Sequence, residues 1–210
     1  IQAGFDFNFD DFDESQFKEE RFKLYTNIFS SSLFLLTGKP GSGKTYETSF
    51  VIKHLKSLNE GLTILAPTGK AALRISENIK ANTGLELKAN TIDRFIFENG
   101  FWWAYEDWDR LHDLPENKKL TVTNLIIDES SMIDIQKLYI LFSIIQFTDE
   151  YPKRLIFVGD ENQLPPIGFG KPFHDIINHV VSEESLFDKN YIHLSTNCRQ
   201  KNDINIIIIS

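Results

Sequence analysis

The sequence predicts an α/β fold: a mostly parallel sheet with helices on both faces and a small aromatic-rich insertion. Three observations lead there. Apolar strand-like runs alternate with segments of helical period. The first run, Leu33-Phe-Leu-Leu-Thr37, feeds Gly38-Lys-Pro-Gly-Ser-Gly-Lys-Thr45, which matches the phosphate-loop pattern G-x-x-x-x-G-K-[ST] at Gly38, Gly43, Lys44 and Thr45. Two later apolar runs end in acids, at Asp128-Glu129 and at Gly159-Asp160. Ligands of open parallel sheets sit at the carboxyl ends of strands, and all three features fall at such ends.

The elements follow in order. Residues 1–14 are expected to be extended, with Phe5, Phe7, Phe9 and Phe12 anchoring an arm on the core. A helix is expected from Ser15, because Phe17, Arg21, Phe22, Leu24, Tyr25 and Ile28 keep a mostly helical period. Val51, Leu55 and Leu58, with Ile52, mark a helix over 43–58, which Asn59-Glu-Gly61 ends. Leu62-Thr-Ile-Leu-Ala66 reads as a buried strand and Pro67-Thr68 as a turn. Helices are expected over 70–79 and from Thr91-Ile92 to Phe97.

Asn99-Gly100 is a turn signal. It opens an insertion over 99–120, rich in aromatics (Phe101, Trp102, Trp103, Tyr105, Trp108) and drawn here as a hairpin. The aromatics are either a mini-core covering the domain or a surface that stacks on bases. Strands are then expected over 121–127, 154–158 and 191–194, and helices over 135–147 and 172–181. The apolar run 204–209 is expected to belong to an element that packs on something outside this chain.

Length allows one domain with a small insertion. No run reaches the roughly 18 apolar residues of a membrane span, so no membrane partner is expected. The single Cys198 excludes an internal disulfide and fits a reducing compartment. The acidic N-terminus carries no signal-peptide pattern, and a cytoplasmic location is expected. Net charge is −8, which argues against a nucleic-acid partner. However, the first 20 residues carry −6 of it, and a near-neutral body is compatible with a local basic groove. The five histidines show no metal-ligand spacing and read as packing or surface residues.

The chemistry concentrates at the strand ends. A helix starting near Gly43 turns its positive end toward an anion. Lys44 is spaced to reach β- and γ-phosphates, and the Thr45 hydroxyl to hold Mg2+. Asp128 is placed to hold Mg2+ bridging those phosphates, and Glu129 to orient and deprotonate a water. Gln163, in Gly159-Asp-Glu-Asn-Gln-Leu-Pro-Pro166, suits contact with both γ-phosphate and water. A phosphotransferase using the same loop, and a binding module switched by nucleotide, remain open alternatives.

The motif series resembles superfamily 1 DNA helicases, in their RecD-like branch that includes the exodeoxyribonuclease V alpha subunit. It runs in order through Thr37–Thr45, Leu65-Ala-Pro-Thr-Gly-Lys-Ala-Ala72, Asn90-Thr-Ile-Asp-Arg94, Ile127-Asp-Glu-Ser-Ser-Met132, Val158–Pro165 and Leu194-Ser-Thr-Asn-Cys-Arg-Gln200. The resemblance covers about residues 12–200. It implies a RecA-like phosphate-loop ATPase over 33–98 and 121–200, preceded at 1–32 by an arm with an adenine-contacting turn. It implies a pin-like subdomain at 99–120 and the start of a further element at 201–210.

By the same resemblance Gln16 reads adenine. Gly38, Pro40, Gly41, Ser42, Gly43, Lys44, Thr45 and Tyr46 hold ATP, and Thr45 and Asp128 hold Mg2+. Lys44, Glu129, Gln163 and Arg199 serve hydrolysis, and Pro67, Thr68 and Thr91 line a single-stranded DNA path. The implied partners are single-stranded DNA, a second RecA-like motor domain whose motifs do not follow Arg199, and other subunits of a repair complex. One departure stands out: Asp93 occupies a position where this branch usually carries His, and an acid beside a phosphodiester path is unfavourable.

Overall fold

The computed structural model describes residues 13–148, 150–196 and 198. Its described strands are β1 (Leu33–Gly38), β2 (Leu62–Ala66), β3 (Asn90–Thr91), β4 (Asn124–Ile127), β5 (Arg154–Gly159) and β6 (Tyr191–Leu194). They form one six-stranded sheet in the order β3-β2-β4-β5-β1-β6. Every neighbouring pair is parallel. The strand β1 that feeds the phosphate loop is therefore interior, with Leu36 opposite Val158 on one side and Ile192 on the other.

The near-continuous apolar runs have a simple cause: both faces of the sheet are covered. Successive side chains alternate between faces. Phe34, Leu36, Ile126, Ile156 and Val158 point into one core, shared with α1 (Glu14–Ile28), α2 (Lys44–Ser57) and α3 (Gly69–Thr83). Leu35, Leu125, Ile127, Leu155 and Phe157 point into the other. That core is shared with α4 (Ile92–Glu98), α5 (Asp109–His112), α6 (Ile135–Ile144) and α7 (Pro172–Ser182). A last short helix, α8 (Glu184–Asn190), leads into β6.

Local chemistry sets the helix starts. Asp13, Thr68, Thr91 and Asp134 each cap a helix by accepting the backbone N–H three residues on. Pro172 opens α7, where its missing N–H costs nothing. The helix α3 continues to Thr83, beyond the expected end at 79, and stops at Gly84 in the left-handed region.

The hairpin drawn for 99–120 is corrected. Those residues form a 3-10 turn (Trp102–Tyr105), α5 and a second 3-10 turn (Glu116–Lys118), with no strand. The spacing explains it: the buried residues Phe101, Ala104 and Leu111, with Trp108, recur every three or four positions, a helical period rather than an alternating one. The segment is mainly a cover. Phe101, Ala104 and Leu111 join the core of the α6 face, and Trp108 stacks on Tyr139 with ring centroids 5.6 Å apart.

The N-terminal arm with Phe5, Phe7, Phe9 and Phe12, and the apolar run 204–209, lie outside the described residues.

Candidate functional site

The carboxyl ends of β1, β4 and β5 carry the phosphate loop, Asp128-Glu129 and Asp160 respectively. Because β5 lies between β1 and β4, parallel pairing brings all three to one edge of the sheet. Tight packing requires glycine at two places in the loop. A Cβ on Gly38, whose φ is +152°, would lie 2.6 Å from both the Leu194 carbonyl and the Ser42 hydroxyl. Gly43 has φ +93°, a left-handed conformation that L side chains rarely adopt.

Gly43 also caps α2 without any side-chain acceptor. The first-turn N–H groups of α2 are therefore left for an anion, which is the fit a phosphate requires. Lys44 opens that helix, and its ammonium donates to the Gly38 carbonyl and, at 3.1 Å, to the Lys39 carbonyl. Burial holds this ammonium below the ordinary lysine range, opposed by Asp160, Asp128 and Glu129 in that order. Thr45 and Tyr46 follow in the first turn of α2, Tyr46 packing on Phe50 at 4.8 Å. Pro40 is exposed and Gly41 half-buried.

Burial pushes the Asp128 carboxyl up to about 6, although the Glu129 N–H donates to its Oδ1 at 2.8 Å. Glu129 sits in the left-handed region at φ 52°. A non-glycine residue there stores strain of order 1–3 kcal/mol, which tends to mark functional sites. Gln163 accepts from the Ser131 hydroxyl at 3.3 Å, which links its loop to the turn after Glu129.

Asp160, singled out in the sequence only as a strand end, is also part of this edge. It is buried, with its Oδ1 accepting from the Asn162 N–H, and it is the acid that acts most on Lys44. The signal was present: Gly159-Asp160 ends an apolar run just as Ile127-Asp128 does. Among the described residues no group of three or more His, Cys, Asp and Glu could cage a metal alone. Mg2+ keeps waters and takes one or two carboxylates plus phosphate oxygens. Thr45, Asp128 and Asp160 offer hard oxygen donors of that kind.

Gln16 lies in the first turn of α1, exposed, with its amide donating to the Ser195 hydroxyl at 2.8 Å. Arg199 lies outside the described residues. Pro67, Thr68 and Thr91 stand on the other half of the edge, where Ala66 pairs with Thr91. Pro67 is buried, and both threonine hydroxyls cap helices. The Asp93 carboxylate is partly exposed. It accepts from Tyr105 Oη and pairs with Lys137 at 2.9 Å, so its charge is matched inside the chain. Three of the histidines do more than pack, His112 Nε2 lying 3.1 Å from Tyr139 Oη. His193 Nδ1 lies 2.9 Å from Glu161 and 3.0 Å from the Thr37 hydroxyl, and His174 Nε2 lies 2.7 Å from the Glu161 carbonyl.

Comparison with known proteins agrees with this geometry. A family model described as AAA domain matches residues 23–169. An uncharacterized protein of Methanocaldococcus jannaschii is 39% identical over 162 residues, covering 73% of this chain and 13% of that protein. The RecBCD enzyme subunit RecD of Haemophilus influenzae is 27% identical over 205 residues, 88% of this chain and 30% of the relative. The ATP-dependent RecD2 DNA helicase of Deinococcus radiodurans is 32% identical over 155 residues, 73% and 19% respectively. The chain thus spans less than a third of the length of each of these relatives.

Among solved structures, a Pif1 helicase described in DNA unwinding at forked duplex matches with a TM-score of 0.50 at 20% identity. It covers 85% of this chain and 43% of that one. The DExH-box NTPase HrpB of E. coli matches with a TM-score of 0.50 at 13% identity, covering 86% and 21%. These two likenesses support the RecA-like fold. No described helix is long and apolar enough to cross a membrane. The chain belongs to the AAA domain family and is a RecD-like motor domain of the superfamily 1 helicases.

Proposed function

We propose that this chain is the ATP-hydrolysing motor fold of a DNA helicase, acting on single-stranded DNA together with a second RecA-like fold. The observation that carries the reading is the convergence of Lys44, Asp128, Glu129 and Gln163 on one sheet edge, in a site whose helix N-terminus is left uncapped.

In this reading the α2 N–H groups and Lys44 cradle the β- and γ-phosphates, and Gln16 contacts the adenine. Thr45 and Asp128 hold Mg2+, which supplies charge neutralisation of the phosphates when bound. Glu129 orients the attacking water and takes its proton. Gln163 contacts the γ-phosphate and, through Ser131, ties that contact to the Asp128-Glu129 turn. Arg199 contributes a further positive charge to the γ-phosphate. Pro67, Thr68 and Thr91 line the strand path, and further subunits of a repair complex are proposed partners of the whole assembly.

The direct test is phosphate release from ATP, with and without single-stranded DNA. Lys44→Ala is expected to abolish it while leaving the melting temperature near the parent value. Unchanged hydrolysis in Lys44→Ala would sink the reading. Transfer to an acceptor hydroxyl in place of water would favour a phosphotransferase.

Two further results are expected. Nucleic-acid binding should favour single strands and weaken steeply as salt rises, because the contacts are to phosphates on a chain of net charge −8. Tight, salt-insensitive binding to duplex would contradict the proposed path. Asp128→Asn should raise the melting temperature of the metal-free chain at neutral pH. The amide oxygen still accepts the Glu129 N–H, and the burial cost of the charge disappears. The same variant should lose the extra stability that Mg2+-ATP gives the parent. A metal-free Asp128→Asn chain that melts below the parent would refute this account.

A further inference from the structure

Beneath the phosphate loop lies a buried guanidinium that the proposed chemistry does not use. Arg21 sits on α1, and its fork reaches three oxygen acceptors at once, with Cys198 Sγ also 3.5 Å from one terminal nitrogen. Nε donates to Glu47 Oε1 at 3.0 Å, one terminal nitrogen to Glu20 Oε2 at 2.8 Å, and the other to the Ser42 carbonyl at 2.6 Å. Arg21, Glu20 and Glu47 are all buried. The remaining carboxylate oxygens are matched too. Glu47 Oε2 accepts from Tyr25 Oη at 2.7 Å, and Glu20 Oε1 accepts from the Ser195 N–H at 3.1 Å and hydroxyl at 2.6 Å. The Ser195 hydroxyl in turn accepts from Gln16.

A buried ion cluster of this kind is weak evidence for stability, since desolvation offsets much of the attraction. What it supplies is position. In a trans peptide the C=O and the following N–H point opposite ways. Holding the Ser42 carbonyl down on Arg21 therefore aims the Gly43 N–H away from the guanidinium. The space is tight: a Cβ on Gly43 would lie 3.1 Å from the Arg21 guanidinium. One side chain thus joins the turn that bears Gln16, the loop that ends at Lys44, and the segment after β6.

We propose that Arg21 is a positioning residue for nucleotide: its fork orients the Gly43 N–H and, through Glu20 and Ser195, couples Gln16 to the phosphate loop. The proposal rests on the nucleotide site described above. A lysine at 21 keeps the charge but not the three-way fork.

The test measures steady-state ATP hydrolysis and binding of a fluorescent ATP analogue with Mg2+. The chains compared are the parent, Lys44→Ala, Arg21→Lys, Ser195→Ala, Gln16→Ala and Ser195→Ala/Gln16→Ala. Arg21→Lys should raise KM for ATP about tenfold, the worth of one charge-assisted hydrogen bond, with kcat within about threefold of the parent. A merely structural role would lower the active fraction and so kcat, leaving KM unchanged. Ser195→Ala is exposed and leaves Glu20 the Ser195 N–H, so it should fold as the parent does. It should raise KM and analogue Kd about threefold, and the double variant should be no weaker than Gln16→Ala alone.

If the parent binds and Lys44→Ala does not, while Arg21→Lys and Ser195→Ala keep the parent KM, this inference falls and the site stands. If Arg21→Lys fails to fold, additive losses in Ser195→Ala and Gln16→Ala overturn the coupling. A parent that binds no nucleotide overturns the site itself.

Discussion

Glu129→Gln is expected to bind Mg2+-ATP as tightly as the parent and to lose about 10²–10⁴-fold in turnover, the usual contribution of a positioned general base. The amide keeps the shape and the hydrogen-bonding reach of the carboxylate but takes no proton. The backbone supports the assignment. Glu129 follows the buried Asp128 directly and is held at φ 52°, so its side chain leaves the strand end at an angle that an extended residue would not have. A rapid quench of ATP in a single turnover, beside equilibrium binding of the same nucleotide, separates the two effects. Turnover in Glu129→Gln equal to the parent's would remove Glu129 as the base.

Phe157→Ala should be the most damaging single truncation in the core, at roughly 3–5 kcal/mol. Phe157 lies on β5, in the middle of the sheet, and is 1% exposed. Its ring lies 6.3 Å from Phe142 of α6 and 6.4 Å from Phe173 of α7. Three elements would face the void, and a β-strand between two others has little room to collapse into it. For a domain of this size the melting temperature should fall by about 6–20 °C. A drop under about 3 °C would show that α6 and α7 close over the gap.

Much of the fold was legible because both cores are built from apolar runs. The four central strands and the strongly apolar α6 and α7 carry their own signal. What escaped has a physical reason in each case. The strand β3 is only Asn90–Thr91 and has no apolar run, so Thr91 reads as the opening of α4. The helix α8 buries none of its residues and has no periodic stripe to show. Phe22 and Leu58 fit helical stripes yet are 67% and 51% exposed, because a stripe identifies a face but not how far the neighbouring element reaches along it.

Of the candidate site, the glycines, Lys44 and the two acids after β4 were readable as local motifs. The Arg21 network was not. Glu20 is the neighbour of Arg21 in sequence, but Glu47, the Ser42 carbonyl and the Ser195 that donates to Glu20 are brought to it only by folding. Arg21 contributes to the helical period of α1, and a period says nothing of burial or partners.

The strand order has a consequence for how the chain is made. Strand β1 begins at residue 33, but its two neighbours are β5, at 154–159, and β6, at 191–194. During synthesis from the N-terminus, the phosphate-loop strand emerges early and waits more than a hundred residues for its first pairing partner. Such distant pairings are slow to close and leave an apolar strand open to wrong company in the meantime. The pair β2 and β3, about 25 residues apart, and then β2 and β4, about 60 apart, can form before the pairings of β1. The half of the sheet bearing Thr68 and Asp128 is then assembled before the half that holds Lys44, and the nucleotide site is the last part of the edge to be completed.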